Sequence, residues 1–452
     1  MEPTASASAS DPHPAAPDAF SFEKRAGGIE EYRLDANGLQ VLFMPEAAAP
    51  VACFMLTYRV GSRHERTGLT GATHMLEHLM FKGTEHFNAR DGTSIFHTLQ
   101  RVGARVNAST WFDRTNYYEL LPKEHLPKAV EIEADRMRGL LLRPEDVERE
   151  RTVILNEHDQ GQNDPFRNLY HAVWAAAFTA HAYHHPTIGW RPDVEAASPE
   201  DLRGFYDRFY WPPNATATII GDVEREEALG LVAEHFGSID RGPGSQANGH
   251  ATNGHAPGKA EPTREPEQRG ERRVEVRQQG QLGALLVAYK GPPGLTEDAD
   301  ALAVLARILA SGKGSRCYRR LTDRGLTAEV VAMSPRLHDP GLFSLFAFLA
   351  PEKTHDEVEM ALEEVIQNVK EEGVAEDEVA RAKRQLKAQE AFGRDGPFAI
   401  AAQLNEALAA GDWTLYAQFM DRIEQVTPAD VQRVARQYLN REKRTVGTYV
   451  PV

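Results

Sequence analysis

Cysteine is nearly absent from this chain. Only Cys53 and Cys317 occur among its 452 residues, and they lie far apart in the sequence. A disulfide framework needs several paired cysteines, and a thiolate metal cluster needs several at short spacing. The sequence therefore excludes the first and argues strongly against the second. We expect both thiols to be small apolar side chains in the core.

The chain also lacks long apolar runs. No uncharged apolar stretch approaches the roughly 18 residues that a membrane-spanning helix needs. The first twenty residues, MEPTASASASDPHPAAPDAF, contain neither Lys nor Arg and no apolar segment, and they are rich in Ala, Ser and Pro. These absences predict no signal peptide, no membrane partner and a cytoplasmic protein whose residues 1–20 form a disordered tail.

Positive charge is in the minority. The chain has 51 Lys and Arg residues against 66 Asp and Glu residues, which gives a net charge of -15. That balance disfavours polyanionic partners such as nucleic acid. A length of 452 residues exceeds what one hydrophobic core usually supports, so we expect two or more domains.

The composition changes abruptly between residues 242 and 272. This segment, GPGSQANGHATNGHAPGKAEPTREPEQRGER, is rich in Gly, Pro, Asn and charged residues and has no apolar period. A chain of this composition cannot bury enough apolar surface to form a core. The segment therefore predicts a flexible linker between two halves, residues 21–241 and 273–452.

The two halves resemble each other when one is shifted by roughly 230 positions. The matching pairs are LTYR with VAYK and SPEDLRGFYDRFY with TPADVQRVARQYL, which begin at Leu56, Val287, Ser198 and Thr427. The longer segments are typical of helices that a Ser or Thr caps and a Pro begins. Further amphipathic helices are expected at Pro127–Leu142 and His355–Glu372. The sequence predicts a duplicated α+β fold of two homologous domains, each an antiparallel-rich sheet covered by helices.

One helical segment of the first half carries three side chains that suit metal chemistry. The stretch GATHMLEHLMFKGT holds His74, Glu77 and His78 within an otherwise apolar run. On a helix, His74 and His78 lie one turn apart on one face and can bind a single zinc ion. Glu77 borders that face and can serve as a carboxylate base. The alternative is a pair of partly buried histidines beside a solvated glutamate.

The second half lacks this trio. HMLEHL, from His74, falls opposite AVLARI, so that the three polar positions become Ala303, Ala306 and Arg307 while the apolar positions are kept. A helix at this place in the repeat therefore does not need the trio in order to fold. This difference favours a chemistry that belongs to the first half alone.

Two acids downstream, like the trio, are present in the first half and absent from the second. Pro144 opens a predicted helix on which Glu150 and Glu157 share a face, and the second half has Ala382 and Gln389 opposite them. Ordinary surface acids on a charged helix are the alternative interpretation. The absence of both acids from the copy that lacks the histidines favours a shared role with the trio.

The chain resembles the pitrilysin-like inverted zinc peptidases, or inverzincins, which include the mitochondrial processing peptidases and the insulin-degrading enzymes. The resemblance spans almost all of residues 25–452, and its carriers are HMLEHLMFKGT, GARVNASTWFDRTNYYELLP, ERERTVILNEHDQ, HHPTIGW and FYWPPNATATIIGD, which begin at His74, Gly103, Glu148, His184 and Phe209. The resemblance implies one Zn2+ per chain, bound by His74, His78 and Glu157. It also implies that Glu77 is the general base and that Glu150 is a supporting catalytic acid.

Helix geometry favours Glu157 as the third ligand over its neighbours. His158 is adjacent on the helix and points about 100° away from Glu157. Glu150 is on the same face but lies two turns, or about 10 Å, away along the axis. We therefore assign the ligand role to Glu157.

The resemblance also gives a role to the segment NAST. In the family this segment lies on an edge strand beside the metal, and the substrate peptide pairs with it as an additional strand. This implies that Asn107 and Ala108 contact the substrate. An ordinary strand that begins with an Asn is the alternative. The chain has the size of family subunits that associate in pairs, so we expect it to be half of a clamshell-like dimer that encloses a chamber.

These implications predict a zinc metalloendopeptidase that hydrolyses peptide bonds in oligopeptides or unfolded polypeptides. One alternative is a non-catalytic or partner-dependent subunit of a heteromeric peptidase of the same family. Another is an unrelated zinc hydrolase, such as an amidase of small molecules.

One family feature is missing from the second half. Many active members carry an Arg and a Tyr there, seven residues apart, which stabilise the oxyanion. This chain has Leu321 and Ala328 at those places within GSRCYRRLTDRGLTAEVVA. Arg319 or Arg320 could substitute through a small shift. Otherwise we expect a related chain without the zinc motif to supply the pair, as partner in a heterodimer, and weak activity from a homodimer.

Overall fold

The computed structural model describes residues 17–243 and 263–452. Most of the predicted tail, residues 1–20, and most of the predicted linker, residues 242–272, lie outside the described residues. The end of the tail is an exception, because Phe20 begins the first strand and its side chain is buried.

Seven strands of the first half form one sheet in the order β1-β2-β3-β7-β4-β6-β5. Only β3 and β7 pair in parallel, and all the other neighbours are antiparallel. The strands are β1 Phe20–Ala26, β2 Ile29–Leu34, β3 Gln40–Pro45, β4 Val51–Tyr58, β5 Arg105–Thr110, β6 Thr115–Pro122 and β7 Ala215–Gly221.

Five strands of the second half form another sheet in the order β10-β11-β9-β12-β8, again with one parallel pair, β8 and β12. They are β8 Arg272–Gln278, β9 Ala284–Lys290, β10 Thr327–Met333, β11 Leu342–Leu349 and β12 Arg444–Pro451. This order repeats that of β5, β6, β4, β7 and β3, with the parallel pair at the same place. The predicted duplicated, antiparallel-rich α+β fold is thereby confirmed.

Fourteen α-helices accompany the two sheets in the described part of the chain. They are α1 Ala72–Leu79, α2 Ile95–Gln100, α3 Leu126–Gly139, α4 Pro144–Gln162, α5 Pro165–Ala177, α6 Arg191–Ala196, α7 Pro199–Phe209, α8 Arg225–Phe236, α9 Glu297–Ala310, α10 His355–Glu372, α11 Glu376–Phe392, α12 Pro397–Ala410, α13 Leu415–Gln425 and α14 Pro428–Tyr438. No helix in the described ranges has both the length and the apolar character needed to cross a membrane.

The helix boundaries follow local chemistry. The hydroxyls of Ser198 and Thr427 cap α7 and α14, as their sequences predicted, and each accepts a backbone N–H of its first turn. Helix α3 ends at Gly139, so the predicted end at Leu142 is wrong by three residues. Leu142 has a positive φ of 48°, because the chain turns here before Pro144 begins α4.

Each half covers the other half's sheet with one helix. Helix α5, from the first half, packs on β8, β9 and β12 of the second sheet, where Leu169 and Val173 are fully buried. Helix α12, from the second half, packs on β4 and β7 of the first sheet, where Ile400 and Leu404 are buried. The two sequence repeats, residues 21–241 and 273–452, are therefore interlocked. Both cysteines are buried as predicted, Cys53 beneath α12 and Cys317 in the separate core of the second half.

The last part of the predicted flexible linker is fixed to the folded body. The carboxylate of Glu265 accepts the backbone N–H groups of Thr179, Ala180 and His181 at 2.9 to 3.0 Å. The buried amide of Gln268 donates to the carbonyl of Arg444 at 2.8 Å. Flexibility was wrongly predicted for residues 263–272, because these contacts join segments that are distant in sequence.

Candidate metal centre

Helix α1 carries the trio and is anchored at its first turn. The buried carboxylate of Glu65 accepts the N–H of Gly71 at 2.7 Å and that of Thr73 at 2.8 Å, which satisfies donors that a helix leaves open at its N-terminus. Gly71 has a φ of +86°, and a Cβ there would lie 2.5 Å from the carbonyl oxygen of Ile188. Only glycine fits this close approach, so the segment HHPTIGW fixes the position of α1.

His74, His78 and Glu157 converge on one point. Oε2 of Glu157 lies 3.7 Å from Nε2 of His74 and 3.8 Å from Nε2 of His78. One ligand atom from each of the three side chains lies within 4.8 Å of the other two. These separations are too long for hydrogen bonds, but they suit atoms that share a zinc ion at about 2.0 to 2.2 Å from each. The three residues therefore fit the metal that the sequence implied.

Glu150 lies behind His78, on the side away from Glu157. Its Oε2 is 3.3 Å from Nδ1 of His78, and its Oε1 accepts Nζ of Lys82 at 2.6 Å. An ionised carboxylate can only accept, so Glu150 holds the proton of His78 on Nδ1 and leaves Nε2 free as a ligand. Glu150 is buried. These contacts suit a residue that positions His78, and the catalytic role predicted for Glu150 stays a prediction.

The pKa values of the two histidines shift in opposite directions. Burial most of all, with the charges of His78 and Arg167, lowers the pKa of His74 to about 3. Burial also lowers the pKa of His78, but the hydrogen bond to Glu150 and the nearby carboxylates outweigh it and raise that pKa above its ordinary value. A neutral imidazole is the form that binds a metal, so His74 is ready for a ligand role at neutral pH.

Glu77 is held at the edge of this cluster by Thr110, whose hydroxyl donates to Oε2 at 2.5 Å. Burial raises the pKa of Glu77, and the hydrogen bond from Thr110 opposes this rise. Thr110 is the last residue of β5, so the catalytic candidate is tied to the edge of the first sheet. Sequence reasoning missed the roles of Thr110 and Lys82, although both lie in segments that carry the resemblance.

Strand β5 is an edge strand, as the resemblance implied. Among the described strands it pairs only with β6, with Asn107 opposite Tyr118 and Ala108 opposite Tyr117. Asn107 is exposed, whereas the side chain of Ala108 is buried, so that Ala108 offers its backbone. The free side of β5 is a place where an extended peptide could add a strand.

The segment that lacks the Arg and Tyr pair is engaged within the second half. Leu321 is fully buried, and Ala328 offers only a methyl group on β10. Arg319 donates to the carbonyl of Gly314 at 2.8 Å. Arg320 forms an ion pair with Glu364 at 2.5 Å. Both candidate substitutes already have partners.

Comparison with known proteins gives concordant matches. The family model described as Insulinase (Peptidase family M16) matches residues 41–189, and the one described as Peptidase M16 inactive domain matches residues 196–386. The Helicobacter pylori protein named zinc protease PqqE is 28% identical over 416 residues, 90% of each chain. An uncharacterized zinc protease of Streptomyces coelicolor is 30% identical over 415 residues, 90% of this chain and 86% of the relative.

Solved structures support the same family assignment. The crystal structure of a protease from Helicobacter pylori superposes with a TM-score of 0.85 at 27% identity, and the match covers 94% of this chain and 99% of that one. The superposition includes both sheets, since it spans nearly the whole of each chain. These matches confirm the resemblance found in the sequence: the chain belongs to peptidase family M16.

Proposed function

We propose that the chain is a zinc-dependent endopeptidase that hydrolyses peptide bonds in oligopeptides or unfolded polypeptides. The observation that carries the proposal is the convergence of His74, His78 and Glu157, without hydrogen bonds among them, on one point next to the base Glu77. Two imidazole nitrogens and one carboxylate oxygen suit one zinc ion per chain and leave a fourth position open for chemistry.

The residues around this point have distinct tasks. Bound zinc would polarise the scissile carbonyl and lower the pKa of a water molecule toward about 7. Glu77 accepts the proton of the attacking water at Oε1, because its Oε2 is held by Thr110, and returns the proton to the leaving amine nitrogen. Burial raises the pKa of Glu77, which makes it a stronger base than a solvated carboxylate.

The edge strand orients the substrate. An extended peptide that pairs with the free side of β5 presents its backbone to Glu77, since Thr110 joins the strand to that carboxylate. Asn107 offers an exposed side chain and Ala108 offers backbone groups to this peptide. A pairing geometry that reads main chain rather than side chains suits unfolded polypeptides. Two such chains would enclose the substrate between them in a clamshell-like dimer.

The test replaces the base and keeps the ligands. Glu77→Gln should retain one zinc per chain and lose about 100- to 10,000-fold in kcat on a mixed-peptide digest, because a general base contributes about that much. Zinc is measured by mass spectrometry of the purified chain. Glu124→Gln, an exposed acid, is the control and should leave both values unchanged. Equal turnover by Glu77→Gln at equal zinc content would show the proposal to be wrong.

A second candidate is a partner-dependent subunit of a heteromeric peptidase. It is favoured by Leu321 and Ala328, which stand at the places of the expected Arg and Tyr and cannot donate hydrogen bonds to the oxyanion. We expect weak activity from the isolated chain and a large gain when a related chain lacking the zinc motif is added. Full activity alone, undiminished by Arg319→Ala with Arg320→Ala, would exclude both the partner and the substitutes.

A further inference from the structure

A cleft of about 530 Å³ opens beside the ligand cluster. It lies between the end of α4, the start of α5, the segment from residue 186 to 192, and β8 of the second half. His158, the neighbour of the ligand Glu157, lines it. The cleft therefore begins at the end of α4, the helix that carries Glu157.

The charge of this cleft is opposite to that of the protein. Its fourteen lining residues include two arginines and two histidines and no acid, whereas the whole chain has a net charge of -15. One of the arginines, Arg191, is neutralised by Asp159 and by Glu195, whose Oε1 accepts its Nε at 2.9 Å. Burial most of all, with the charges of Arg167 and His158, lowers the pKa of His171 to about 4, so that His171 is neutral at neutral pH. The other arginine, Arg167, supplies the uncompensated charge.

Arg167 is available for a ligand. Among residues 17–243 and 263–452, its guanidinium has no hydrogen-bond or ion-pair partner, and the side chain is half-buried. The guanidinium packs over Gly161, where a Cβ would lie 2.8 Å from Nη1. Gly161 thus makes room for a planar group at the end of α4. A half-buried guanidinium without a carboxylate has given up water contacts without receiving a partner in return.

The cleft adjoins a second cavity that reaches Thr110. A neighbouring cavity of about 200 Å³ shares His171 and Pro186 with it and is also lined by Thr110. Thr110 holds the base Glu77. A peptide that pairs with β5 and passes Glu77 can therefore extend through this smaller cavity into the cleft that contains Arg167.

We propose that Arg167 is a specificity residue that binds a carboxylate of the peptide substrate, through two parallel N–H···O bonds from its guanidinium. The inference rests on the proposed peptidase function and names one class of its substrates. Guanidinium geometry matches a carboxylate in this bidentate way, and such charge-assisted bonds are among the strongest in proteins. The carboxylate is either an Asp or Glu side chain near the scissile bond or the C-terminal group of an oligopeptide.

Binding to a catalytically disabled protein tests the inference without hydrolysis. Zinc-loaded Glu77→Gln is titrated with one extended peptide in which Glu or Gln occupies each position in turn, and with the same peptide carrying a free or an amidated C-terminus. We expect one carboxylate-bearing peptide to bind about tenfold more tightly than its neutral counterpart. A tenfold ratio between the Glu and Gln peptides would identify a side-chain carboxylate, and a tenfold ratio between the free and amidated peptides would identify the C-terminal carboxylate.

Variants assign the ratio to one residue. Adding Arg167→Gln should abolish it, and adding Arg167→Glu should make a Lys peptide bind more tightly than the Glu peptide. Arg191→Gln, the arginine of the same cleft that Asp159 and Glu195 already neutralise, should keep the tenfold ratio. A ratio near one with Arg167 intact, or a ratio that survives Arg167→Gln, would overturn the inference.

The two levels of the proposal fail differently. If wild-type protein hydrolyses peptides and Glu77→Gln binds them without regard to carboxylates, only the role of Arg167 is wrong. If carboxylate-selective binding depends on Arg167 and wild-type protein with zinc hydrolyses no peptide, only the proposed function is wrong.

Discussion

The first half carries a candidate metal-ligand cluster, and the second half has the same scaffold without it. Helix α9 and helix α11 repeat α1 and α4, and β10 repeats the edge strand β5. At the places of His78 and Glu157 the second half has Arg307 and Gln389, and the guanidinium of Arg307 donates to Oε1 of Gln389. The same two helices are thus joined at the same point by a permanent cation and an amide.

The difference separates folding from chemistry. A direct hydrogen bond closes the second cluster, whereas the three side chains of the first are too far apart for hydrogen bonds and at distances that suit a shared zinc ion. Ala382 is buried where Glu150 stands in the first half, so the acid behind the histidine is not needed to pack the helices either. The family model that matches residues 196–386, a range that includes α9 and most of α11, is described as an inactive domain.

The largest expected effect comes from making the first cluster like the second at one position. Glu157→Gln removes the only anionic ligand, so we expect loss of zinc and a decrease in kcat/KM of at least about a thousandfold. Metal analysis and a peptide assay measure both. The reciprocal change, Gln389→Glu, should alter neither, because Arg307 opposite would bind the new carboxylate. Tight zinc retention by Glu157→Gln would contradict the ligand assignment.

An intermediate effect is expected from Glu150→Gln. Zinc should stay bound at saturating concentration, with zinc affinity or activity lower by about 10- to 100-fold, because a neutral amide fixes His78 less firmly than a carboxylate does. A chelator competition gives the affinity. Glu150→Asp keeps the charge and should recover part of the loss. If zinc affinity and activity are both unchanged in Glu150→Gln, the positioning role is excluded.

The smallest expected change is a gain in the second half. The triple variant Ala303→His, Arg307→His and Gln389→Glu restores the ligand set on the repeated scaffold and should raise the zinc content from one to about two per chain. We expect the added site to bind more weakly than the first, because Ala382 supplies no carboxylate behind the new histidine. A stoichiometry that stays at one, in a variant with the wild-type unfolding temperature, would show that the two scaffolds differ in more than these side chains.

The sequence was sufficient for features that local spacing determines. The caps at Ser198 and Thr427 and the one-turn separation of His74 and His78 follow from helix geometry, and the structure has them as predicted. The duplicated fold could be predicted because matching segments in the two halves are expected to form the same helices and strands.

The sequence was insufficient where distant segments meet. The bond from Thr110 to Glu77 spans 33 positions, and the bond that ties Glu265 to Thr179 spans 86. From the sequence alone, Lys82 is expected to be an ordinary solvated lysine. Its ion pair with the buried Glu150 forms only because α4 packs against α1 in the folded protein. The crossing of α5 and α12 to opposite sheets leaves no local signal, since an amphipathic helix does not reveal which sheet it covers.

The crossing of α5 and α12 joins the two repeats independently of the segment that links them in sequence. A protease cut between residues 243 and 263 would leave two fragments, each holding one helix that the other fragment needs to cover its sheet. Separating them would expose two apolar sheet faces and two apolar helix faces to water. The nicked protein should therefore migrate as one particle and retain its zinc, and the halves made separately should recover structure only when mixed. The folded particle would then not depend on an unbroken chain.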